Sequence, residues 1–418
     1  MKELGIVFSG QGSQYPGMFK ELMSVYPNGK EFFENASELC GLNLIDICSN
    51  ASEEKLKETR IAQLSTVVYS VALYDFFVKE NGILPKLFAG HSVGEYAALI
   101  ASGMLSFEDG IRLVNKRGSL MQNIAQAGGM LAILDDDILN IEMYCKEQNS
   151  EGNEIAISNY NSDHQTIISG TVEQIERAQE YFEKSNISVK LLKVSGAFHS
   201  PLMRTTEDAF EKELQKCKFR MNTNIVFSNV DAEAYESEDD IRLKLKMQLS
   251  RPVLWNDIMH ALRRQQVDIV IECGPQKTLT NLVKTVSGFS AYSYSKDREE
   301  IKHIIRERYS VSNNLRNLIE RGLTIIACTR NCNDSMENYQ IEVIERGKRL
   351  RGMIKHCNGI ERIDELLIKD IINCLQEMLN AKKISPDEQK KWFHKLENDT
   401  ADLQLQRILA NEIKTRFS

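Results

Sequence analysis

A serine between two glycines is the first place in this chain where chemistry could be done. Ser92 lies in the segment "LFAGHSVGEYAALIASG", at the centre of the pattern Gly90-x-Ser92-x-Gly94. Apolar residues precede it, and small residues typical of a helix follow it. A sharp turn from a strand into a helix would lift the serine hydroxyl clear of the sheet, as in a nucleophile elbow. Because this pattern also occurs by chance, it does not predict catalysis without a partner residue.

That partner would be a base within hydrogen-bond reach, because a serine hydroxyl reacts poorly at neutral pH. Seven histidines are available. His91 is adjacent to Ser92, but neighbouring side chains diverge at a tight turn. His199, in "SGAFHSPLM", follows a predicted strand and is flanked by small residues and Pro201. A single histidine in a loop is more often solvated or bonded within the core, so only the pair of Ser92 and His199 indicates nucleophilic catalysis.

Arg117 borders the buried face of a predicted helix. A guanidinium cannot be deprotonated and is unfavourable to bury unless it meets an anion, ideally a carboxylate that accepts two parallel hydrogen bonds. An internal salt bridge or a side chain that reaches out to solvent explains the pattern at least as readily. The apolar positions that repeat every three or four residues and define the face are Ile111, Val114, Gly118, Met121 and Ala125.

The glycine-rich turn "GQGSQ", at 10–14, follows the first predicted strand. It lacks the Lys-Ser/Thr pair of a phosphate-binding loop, and Tyr15 stands where a dinucleotide turn has its third glycine. The sequence therefore does not favour a nucleotide site. Such a turn can still present main-chain N–H groups to a developing oxyanion.

Composition restricts the class of protein. A chain of 418 residues with 42% hydrophobic residues can bury a large core and is expected to form two or three units. The net charge of −7 does not suggest a nucleic-acid partner. The N-terminus has no signal-peptide pattern, and no later stretch approaches about 18 consecutive apolar residues. We therefore expect a cytoplasmic protein that does not act on a membrane.

The nine cysteines are scattered without regular spacing, which favours reduced thiols over a disulfide framework. The closest pair, Cys328 and Cys332, has no second Cys or His pair nearby. A zinc site is therefore not predicted.

The order of predicted elements indicates an α/β protein with three parts. Alternating strands and helices over 1–127 and 197–295 predict a large α/β-hydrolase-like subdomain with a mainly parallel sheet. The order βαββαβ over 128–196 predicts an inserted ferredoxin-like small subdomain. Functional residues are then expected at the C-terminal ends of the parallel strands.

Residues 296–418 are predicted to be a helical C-terminal extension. Ser385-Pro386-Asp387-Glu388 is a good helix start, and Trp392, Phe393 and Leu396 offer an apolar face after it. No chemical motif is found in this part, which favours packing against the core or a partner. An apolar stripe at helical spacing consists of Ile363, Leu366, Leu367, Ile371, Leu375, Met378 and Leu379.

Six ordered segments together closely resemble the malonyl-CoA:acyl carrier protein transacylases, including the stand-alone acyltransferases that serve polyketide synthases. The resemblance covers about residues 1–295 and does not include the C-terminal helices. The segments are "FSGQGSQYPGM", "GHSVGEYAAL", "NKRGSLMQ", "SGAFHSPLM", "QLSRPVLW" and "ECGPQKTLTNLV".

The resemblance implies a role for each matching residue. Ser92 would be the acylated nucleophile and His199 its general base, oriented by main-chain carbonyls rather than by an aspartate. The main-chain N–H groups of Gln11 and Val93 would form the oxyanion hole. Arg117 would hold the free carboxylate of the malonyl group.

Four further positions are expected at the substrate site on the same ground. Gln248 would line it beside the histidine, and Gln63 matches another glutamine of the family, although Leu64 follows it where proline is common. Phe198 goes with unsubstituted malonyl rather than methylmalonyl in this family. His91 completes the set.

The implied reaction moves a malonyl group from malonyl-CoA to the phosphopantetheine thiol of an acyl carrier protein through an acyl-serine. It requires no metal or redox cofactor. The expected partners are a coenzyme A thioester and the carrier protein of a fatty-acid or polyketide synthase. Two alternatives remain: an acyl hydrolase that clears stalled carriers, and a synthase-docking protein with secondary catalysis.

Overall fold

A computed structural model of the chain describes residues 3–124, 128–135, 137–150, 154–192, 194, 196–286, 288–357, 360 and 362–417. These residues divide into two compact units. The first unit comprises 1–77 and 85–298, and the second comprises 78–84 and 299–418. Besides 299–418, the second unit takes a short segment, 78–84, that the sequence did not indicate.

Strands occur only in the first unit among the described residues, and they form two sheets. The larger sheet has the order β7-β2-β1-β8-β9 with every pair parallel, and the smaller has the order β4-β5-β3-β6. The strands are β1 (Glu3–Phe8), β2 (Leu87–Gly90), β3 (Gly128–Leu134), β4 (Ala156–Ser162), β5 (Gln165–Thr171), β6 (Ser188–Leu191), β7 (Ile225–Phe227), β8 (Val267–Glu272) and β9 (Ser290–Ser293).

Among the described residues, thirteen α-helices of the first unit begin before residue 298, and α5 continues past the boundary at residue 77. They are α1 (Met18–Val25), α2 (Lys30–Cys40), α3 (Leu44–Asn50), α4 (Glu53–Lys57), α5 (Thr59–Asn81), α6 (Gly94–Ala101), α7 (Phe107–Ile124), α8 (Ile138–Ser150), α9 (Val172–Lys184), α10 (Glu207–Leu214), α11 (Glu238–Met247), α12 (Trp255–Arg264) and α13 (Thr278–Val283). A 3-10 turn at Pro201–Thr206 precedes α10.

The larger sheet brings two loops to one edge. Its central strands are buried along nearly their whole length, as expected of parallel strands covered on both faces. Strands β1 and β2 are parallel, with Phe8 paired to Gly90. The turn that begins at Gly10 and the turn that holds Ser92 therefore leave the sheet side by side, at its C-terminal edge.

Helix α5 is the longest helix among the described residues, and most of its side chains are buried. It is long and apolar enough to cross a membrane by length and composition, but 89% of its apolar window is buried within the protein. Burial on nearly all sides explains why it lacks an amphipathic pattern.

The smaller sheet confirms the predicted ferredoxin-like subdomain. Its elements follow the order β3, α8, β4, β5, α9 and β6, and each pair of neighbouring strands is antiparallel. Helix α9 starts with a capping box, in which Thr171 accepts from the Gln174 N–H and the Gln174 side chain accepts from the Thr171 N–H. Both helices cover one face of the sheet, with Leu131, Ile168 and Phe182 in the shared core.

The second unit is helical in its described residues, as predicted, with one core of its own. Ser385 caps α19 by accepting from the Glu388 N–H, which confirms the predicted start. The apolar stripe is wrong at Leu366, which is 72% exposed. Leu366 lies nine residues before Leu375, about two and a half turns, and therefore on the opposite side of the helix. The helices are α14 (Arg298–Arg308), α15 (Val311–Cys328), α16 (Met336–Tyr339), α17 (Arg346–His356), α18 (Glu365–Ala381), α19 (Pro386–Asn398) and α20 (Leu403–Phe417), with a π-helical segment at Gln340–Glu345.

All nine cysteines are free thiols, and seven of them are buried. Most of the cysteines are therefore buried core residues and not members of a disulfide framework, as the scattered spacing in the sequence predicted.

Candidate active site

Ser92 lies in a strained corner between β2 and α6. Its backbone has φ +52°, in the left-handed region that residues other than glycine rarely adopt. The two glycines of the motif make this corner possible. A Cβ at Gly90 would lie 2.0 Å from the carbonyl carbon of Gly94, and a Cβ at Gly94 would lie 2.2 Å from the carbonyl oxygen of Phe8. Gly90 is thus required by the tightness of the turn itself, and Gly94 by the close approach of the turn to β1.

We expect Gly94→Ala to destabilise the first unit by about 1–3 kcal/mol, because the new methyl group must displace the end of β1. The rate of Ser92 acylation should also fall in this variant. The measurement is the melting temperature, with Gly352→Ala in α17 as the control, since a Cβ there meets nothing within 4 Å. Equal melting temperatures for the two variants would contradict the packing argument.

Ser92 and His199 form a hydrogen-bonded pair. Ser92 Oγ lies 2.7 Å from His199 Nε2, and His199 Nδ1 lies 2.8 Å from the main-chain oxygen of Gln248. Because a carbonyl only accepts, Nδ1 carries the hydrogen and Nε2 is left to accept the serine proton. His199 is itself held at φ +56°. The histidine that pairs with Ser92 is therefore the distant one, while His91 points elsewhere.

Burial, and then the positive charge of Arg117, lower the pKa of His199 from 6.5 to about 3. The imidazole is therefore neutral, and able to act as a base, throughout the physiological range. Because the folded state binds this proton less readily than the unfolded chain, His199 reduces the free energy of unfolding as the pH falls below about 6.5.

We expect the His199 imidazole to remain unprotonated down to about pH 5, where an ordinary histidine would be almost fully charged. The measurement is an NMR titration of the histidine ring carbons, with His199→Gln to assign the resonance. A midpoint near the ordinary value for histidine would contradict the buried, carbonyl-bonded environment described above.

Arg117, on α7, lies directly behind Ser92 and is wholly buried. Its Nη2 donates to Ser92 Oγ and to Gln248 Oε1, each at 3.1 Å. Nε and Nη1 have no hydrogen-bond partner among the described residues, and no described carboxylate lies within 4 Å of the guanidinium. The internal salt bridge that the sequence left open is therefore absent there. A buried cation with unused donors is suited to an anionic ligand.

The buried face of α7 that the sequence predicted is present. Ile111, Val114, Gly118 and Met121 are all buried, whereas Ala125 lies outside the described residues.

Gln11 and Val93 flank Ser92 with unused main-chain donors. Neither N–H has an acceptor among the described residues. Gln63 is buried beside them, and its Nε2 lies 3.4 Å from Gln11 Oε1 and 3.4 Å from the sulfur of Met121. Free N–H groups beside a nucleophile are the arrangement that stabilises an oxyanion.

A cavity of about 660 Å³ opens onto Ser92 and His199. Gln11, Gln63, His91 and Phe198 also line it, together with residues of the small sheet and of α13. Arg117 and Gln248 do not line it, so Ser92 and His199 share this cavity whereas Arg117 contacts it only through Ser92 Oγ. An acyl group on Ser92 would have to extend past Oγ to reach the guanidinium.

His91 and Phe198 shape the wall of this cavity. The His91 ring packs edge-on against Trp255 with 5.5 Å between centroids, and its Nε2 donates to Asn161 Oδ1 at 2.8 Å. Burial lowers its pKa, so this ring is neutral. Phe198 is buried, and its main-chain oxygen accepts from Ser169 on β5. Both residues therefore link the turn that holds Ser92 to the small subdomain.

Sequence reasoning missed Glu95 and Asn229. Glu95 is fully buried on α6 and accepts hydrogen bonds from Tyr235, Gln248 and the Asn229 N–H. Asn229 Oδ1 accepts from the Ser92 N–H at 2.7 Å. A signal for Glu95 was present, because it is the single charge in a helix otherwise made of small and apolar residues. Burial raises its pKa to about 7, against its hydrogen bonds and the charge of Arg117.

Residues 6–319 match the acyl transferase domain family. Among curated proteins, a malonyl CoA-acyl carrier protein transacylase of Bacillus subtilis is 33% identical over 347 residues, covering 81% of this chain and 86% of its own length. The protein of that name from Escherichia coli K12 is 36% identical over 289 residues, covering 68% of this chain and 93% of its own.

Solved structures agree with the sequence matches. FabD from Acinetobacter baumannii is 31% identical with a TM-score of 0.70, covering 73% of this chain and 98% of its own. A second matching structure is that of a type II PKS acyl-carrier protein in complex with its malonyl-transacylase, PlMCAT:AntF. The matched chain is 34% identical with a TM-score of 0.68, covering 72% of this chain and 98% of its own.

The fold and the Ser92–His199 pair, together with these matches, define an acyltransferase. More narrowly, the chain belongs to the family of malonyl CoA-acyl carrier protein transacylases. One expectation is corrected: the match continues to residue 319, so the family likeness does not stop at 295 but includes α14 and part of α15.

Proposed function

We propose that this protein transfers a malonyl group from malonyl-CoA to the phosphopantetheine thiol of an acyl carrier protein through a malonyl-Ser92 intermediate. The observation that carries the proposal is the position of Ser92 Oγ, which meets a neutral histidine on one side and a buried guanidinium on the other. The first contact supplies nucleophilic catalysis, and the second supplies a preference for an acidic acyl group.

In the first half-reaction, Ser92 Oγ attacks the thioester carbonyl carbon while His199 Nε2 takes the hydroxyl proton. The carbonyl oxygen becomes an oxyanion within reach of the Gln11 and Val93 N–H groups. When the C–S bond breaks, the thiolate of coenzyme A leaves and receives the proton from His199. Ser92 is then joined to the malonyl group as an ester.

The second half-reaction reverses these steps with a different thiol. His199 takes the proton of the phosphopantetheine thiol, the sulfur attacks the ester carbon, and the same N–H groups stabilise the oxyanion. The bond between Ser92 Oγ and the acyl carbon then breaks, and Oγ regains its proton from His199. The thioester is thereby exchanged with no net change in oxidation state, so the proposal requires neither metal nor redox cofactor.

Arg117 is proposed to bind the free carboxylate of the malonyl group. Its unused Nε and Nη1 are the available donors, and Nη2 can exchange its contact with Ser92 for one with the ligand once Oγ is acylated. Gln248 accepts from Nη2 and so holds the guanidinium in place. Phe198 fills the wall near His199 and favours malonyl over a branched extender.

The cavity in front of Ser92 is proposed to admit the pantetheine arm of both the donor and the acceptor. About 660 Å³ is a typical volume for a ligand site. Gln63 and His91 would contact the arm or the acyl group there. We place this chemistry in the cytoplasm, with the carrier protein of a fatty-acid or polyketide synthase as the partner.

Intact mass spectrometry tests the proposal. After mixing with malonyl-CoA, we expect the protein to gain the mass of one malonyl group on Ser92 and to lose it to an added holo carrier protein. Prompt loss of the adduct to water without a carrier would instead support the acyl hydrolase. Absence of any adduct in a folded sample would overturn both.

A further inference from the structure

Glu95 is a buried carboxylate that the proposed mechanism does not use. It lies one turn after Ser92 on α6, it has no exposed surface, and it does not line the cavity. An isolated carboxylate is unfavourable to bury unless donors surround it. Three donors do: the hydroxyl of Tyr235 and the main-chain N–H of Asn229 on Oε1, and the amide Nε2 of Gln248 on Oε2.

The contact with Gln248 determines which way its amide points. Nε2 of Gln248 donates to Glu95 and also to the main-chain oxygen of Ser92 at 3.0 Å. A carboxylate and a carbonyl only accept, whereas a guanidinium only donates. The amide nitrogen must therefore face Glu95, and the amide oxygen must face Arg117, whichever way the two ends are assigned.

The orientation of the Gln248 amide affects Ser92 through Arg117, which contacts both residues. Nη2 uses one hydrogen on Gln248 Oε1 and the other on Ser92 Oγ. With the amide reversed, Gln248 would present N–H groups to the guanidinium, and two donors would face each other. Arg117 would then lose its fixed acceptor and move away from Ser92.

The same carboxylate also balances charge. Arg117 is buried without a direct ion pair, and Glu95 is the described carboxylate that stabilises it from behind Gln248. Two of the three neighbours of Glu95, the Asn229 N–H and Gln248 Nε2, can only donate. The hydrogen-bond donors around Glu95 therefore favour its ionised form and oppose the burial that raises its pKa to about 7.

We infer that Glu95 is a positioning residue that fixes the Gln248 amide, and through it Arg117, in the geometry that selects a carboxylate-bearing acyl group. This inference rests on the proposed function. It assigns the selectivity of the site to a chain of two hydrogen bonds, from Arg117 to Gln248 and from Gln248 to Glu95, rather than to Arg117 alone. We call this hydrogen-bond chain the relay.

The test compares Glu95→Gln with the wild type on malonyl-CoA and acetyl-CoA. The substituted amide has nearly the same shape but brings an N–H group of its own, which must face either Gln248 or the Asn229 N–H. We expect kcat/KM for malonyl-CoA to fall roughly 10- to 100-fold, with a change of less than about 3-fold for acetyl-CoA. The malonyl/acetyl ratio is the readout that a loss of general packing would not move.

Glu272→Gln is the matched control. Glu272 is another wholly buried glutamate, and its carboxylate accepts from Ser9, Leu279 and Thr280, with no contact to Gln248 or Arg117. We expect this variant to change both substrates by the same factor. Folding of each variant is followed by circular dichroism and melting temperature.

A double-mutant cycle tests whether Glu95 acts on the malonyl/acetyl ratio through Gln248. In a Gln248→Met background the relay is already cut, so Glu95→Gln should cause no further change in the ratio. If Glu95→Gln does not fold, Glu95→Asp replaces it, because the shorter carboxylate cannot reach both Asn229 and Gln248. The same loss of ratio is expected.

The inference is overturned if a folded Glu95→Gln or Glu95→Asp variant keeps the wild-type malonyl/acetyl ratio, or if the control changes the ratio equally. The proposed function fails separately, when the wild type itself takes no malonyl group on Ser92 or shows no preference for it. The two failures are distinguishable because the second needs no variant.

Discussion

Ser92→Ala is expected to remove covalent loading completely and to lower kcat for malonyl transfer by roughly 10⁴- to 10⁶-fold. Ser92 Oγ is the atom that His199 Nε2 and Arg117 Nη2 both contact, and no other described hydroxyl does so. The Gln11 and Val93 N–H groups, which we propose as oxyanion donors, and the cavity remain in the variant, so weak binding of malonyl-CoA should persist. The measurements are intact mass after incubation with malonyl-CoA and transfer to a holo carrier protein.

Ser102→Ala is the control, because Ser102 is a buried serine just after α6 whose hydroxyl bonds only to the main chain of Leu99 and Met104. It should load malonyl at close to the wild-type rate. A Ser92→Ala protein that still gains the malonyl mass would show that another residue is the nucleophile, and the role given to the corner between β2 and α6 would be wrong.

Arg117→Ala is expected to reduce the preference for malonyl over acetyl by roughly 30- to 1000-fold. A charge-assisted pair with a carboxylate in a dry site contributes about 2–4 kcal/mol, and this is the contribution that the variant loses. Loading with acetyl-CoA should change far less, since an acetyl group has nothing to place against the guanidinium. A competition between the two thioesters, quantified as the masses added to Ser92, measures the ratio directly.

Arg117→Lys separates charge from geometry. Lysine keeps the positive charge but cannot donate to Ser92 Oγ and Gln248 Oε1 from one planar group, so we expect a ratio between those of the wild type and of Arg117→Ala. An unchanged malonyl/acetyl ratio in a folded Arg117→Ala protein would contradict the carboxylate-binding role. Melting temperatures are needed beside each ratio, because removing the cation leaves Glu95 buried without a compensating charge.

The sequence by itself determined the chemistry-bearing residue types and much of the architecture. The pattern Gly90-x-Ser92-x-Gly94 predicted a tight turn. The structure gives the reason for the glycines, because a side chain at either position would collide with the main chain. The order of strands and helices over 128–196 predicted the small subdomain because period and length distinguish its elements. Strand β9 was not predicted, since four residues with the sequence Ser-Ala-Tyr-Ser carry almost no apolar signal.

The tertiary structure alone decided how these residues act together. His199 is 107 positions from Ser92, and the carbonyl that orients it belongs to Gln248, 49 positions further on. No local pattern pairs residues so far apart: the family resemblance implied the pairing, and only the folded chain gives its geometry. Burial lowers the pKa of His199, and the packing around Arg117 leaves its Nε and Nη1 without a hydrogen-bond partner among the described residues. Both depend on every element packed around the two side chains. Residue type is a property of one position, whereas distance, burial and hydrogen-bond polarity belong to the folded chain.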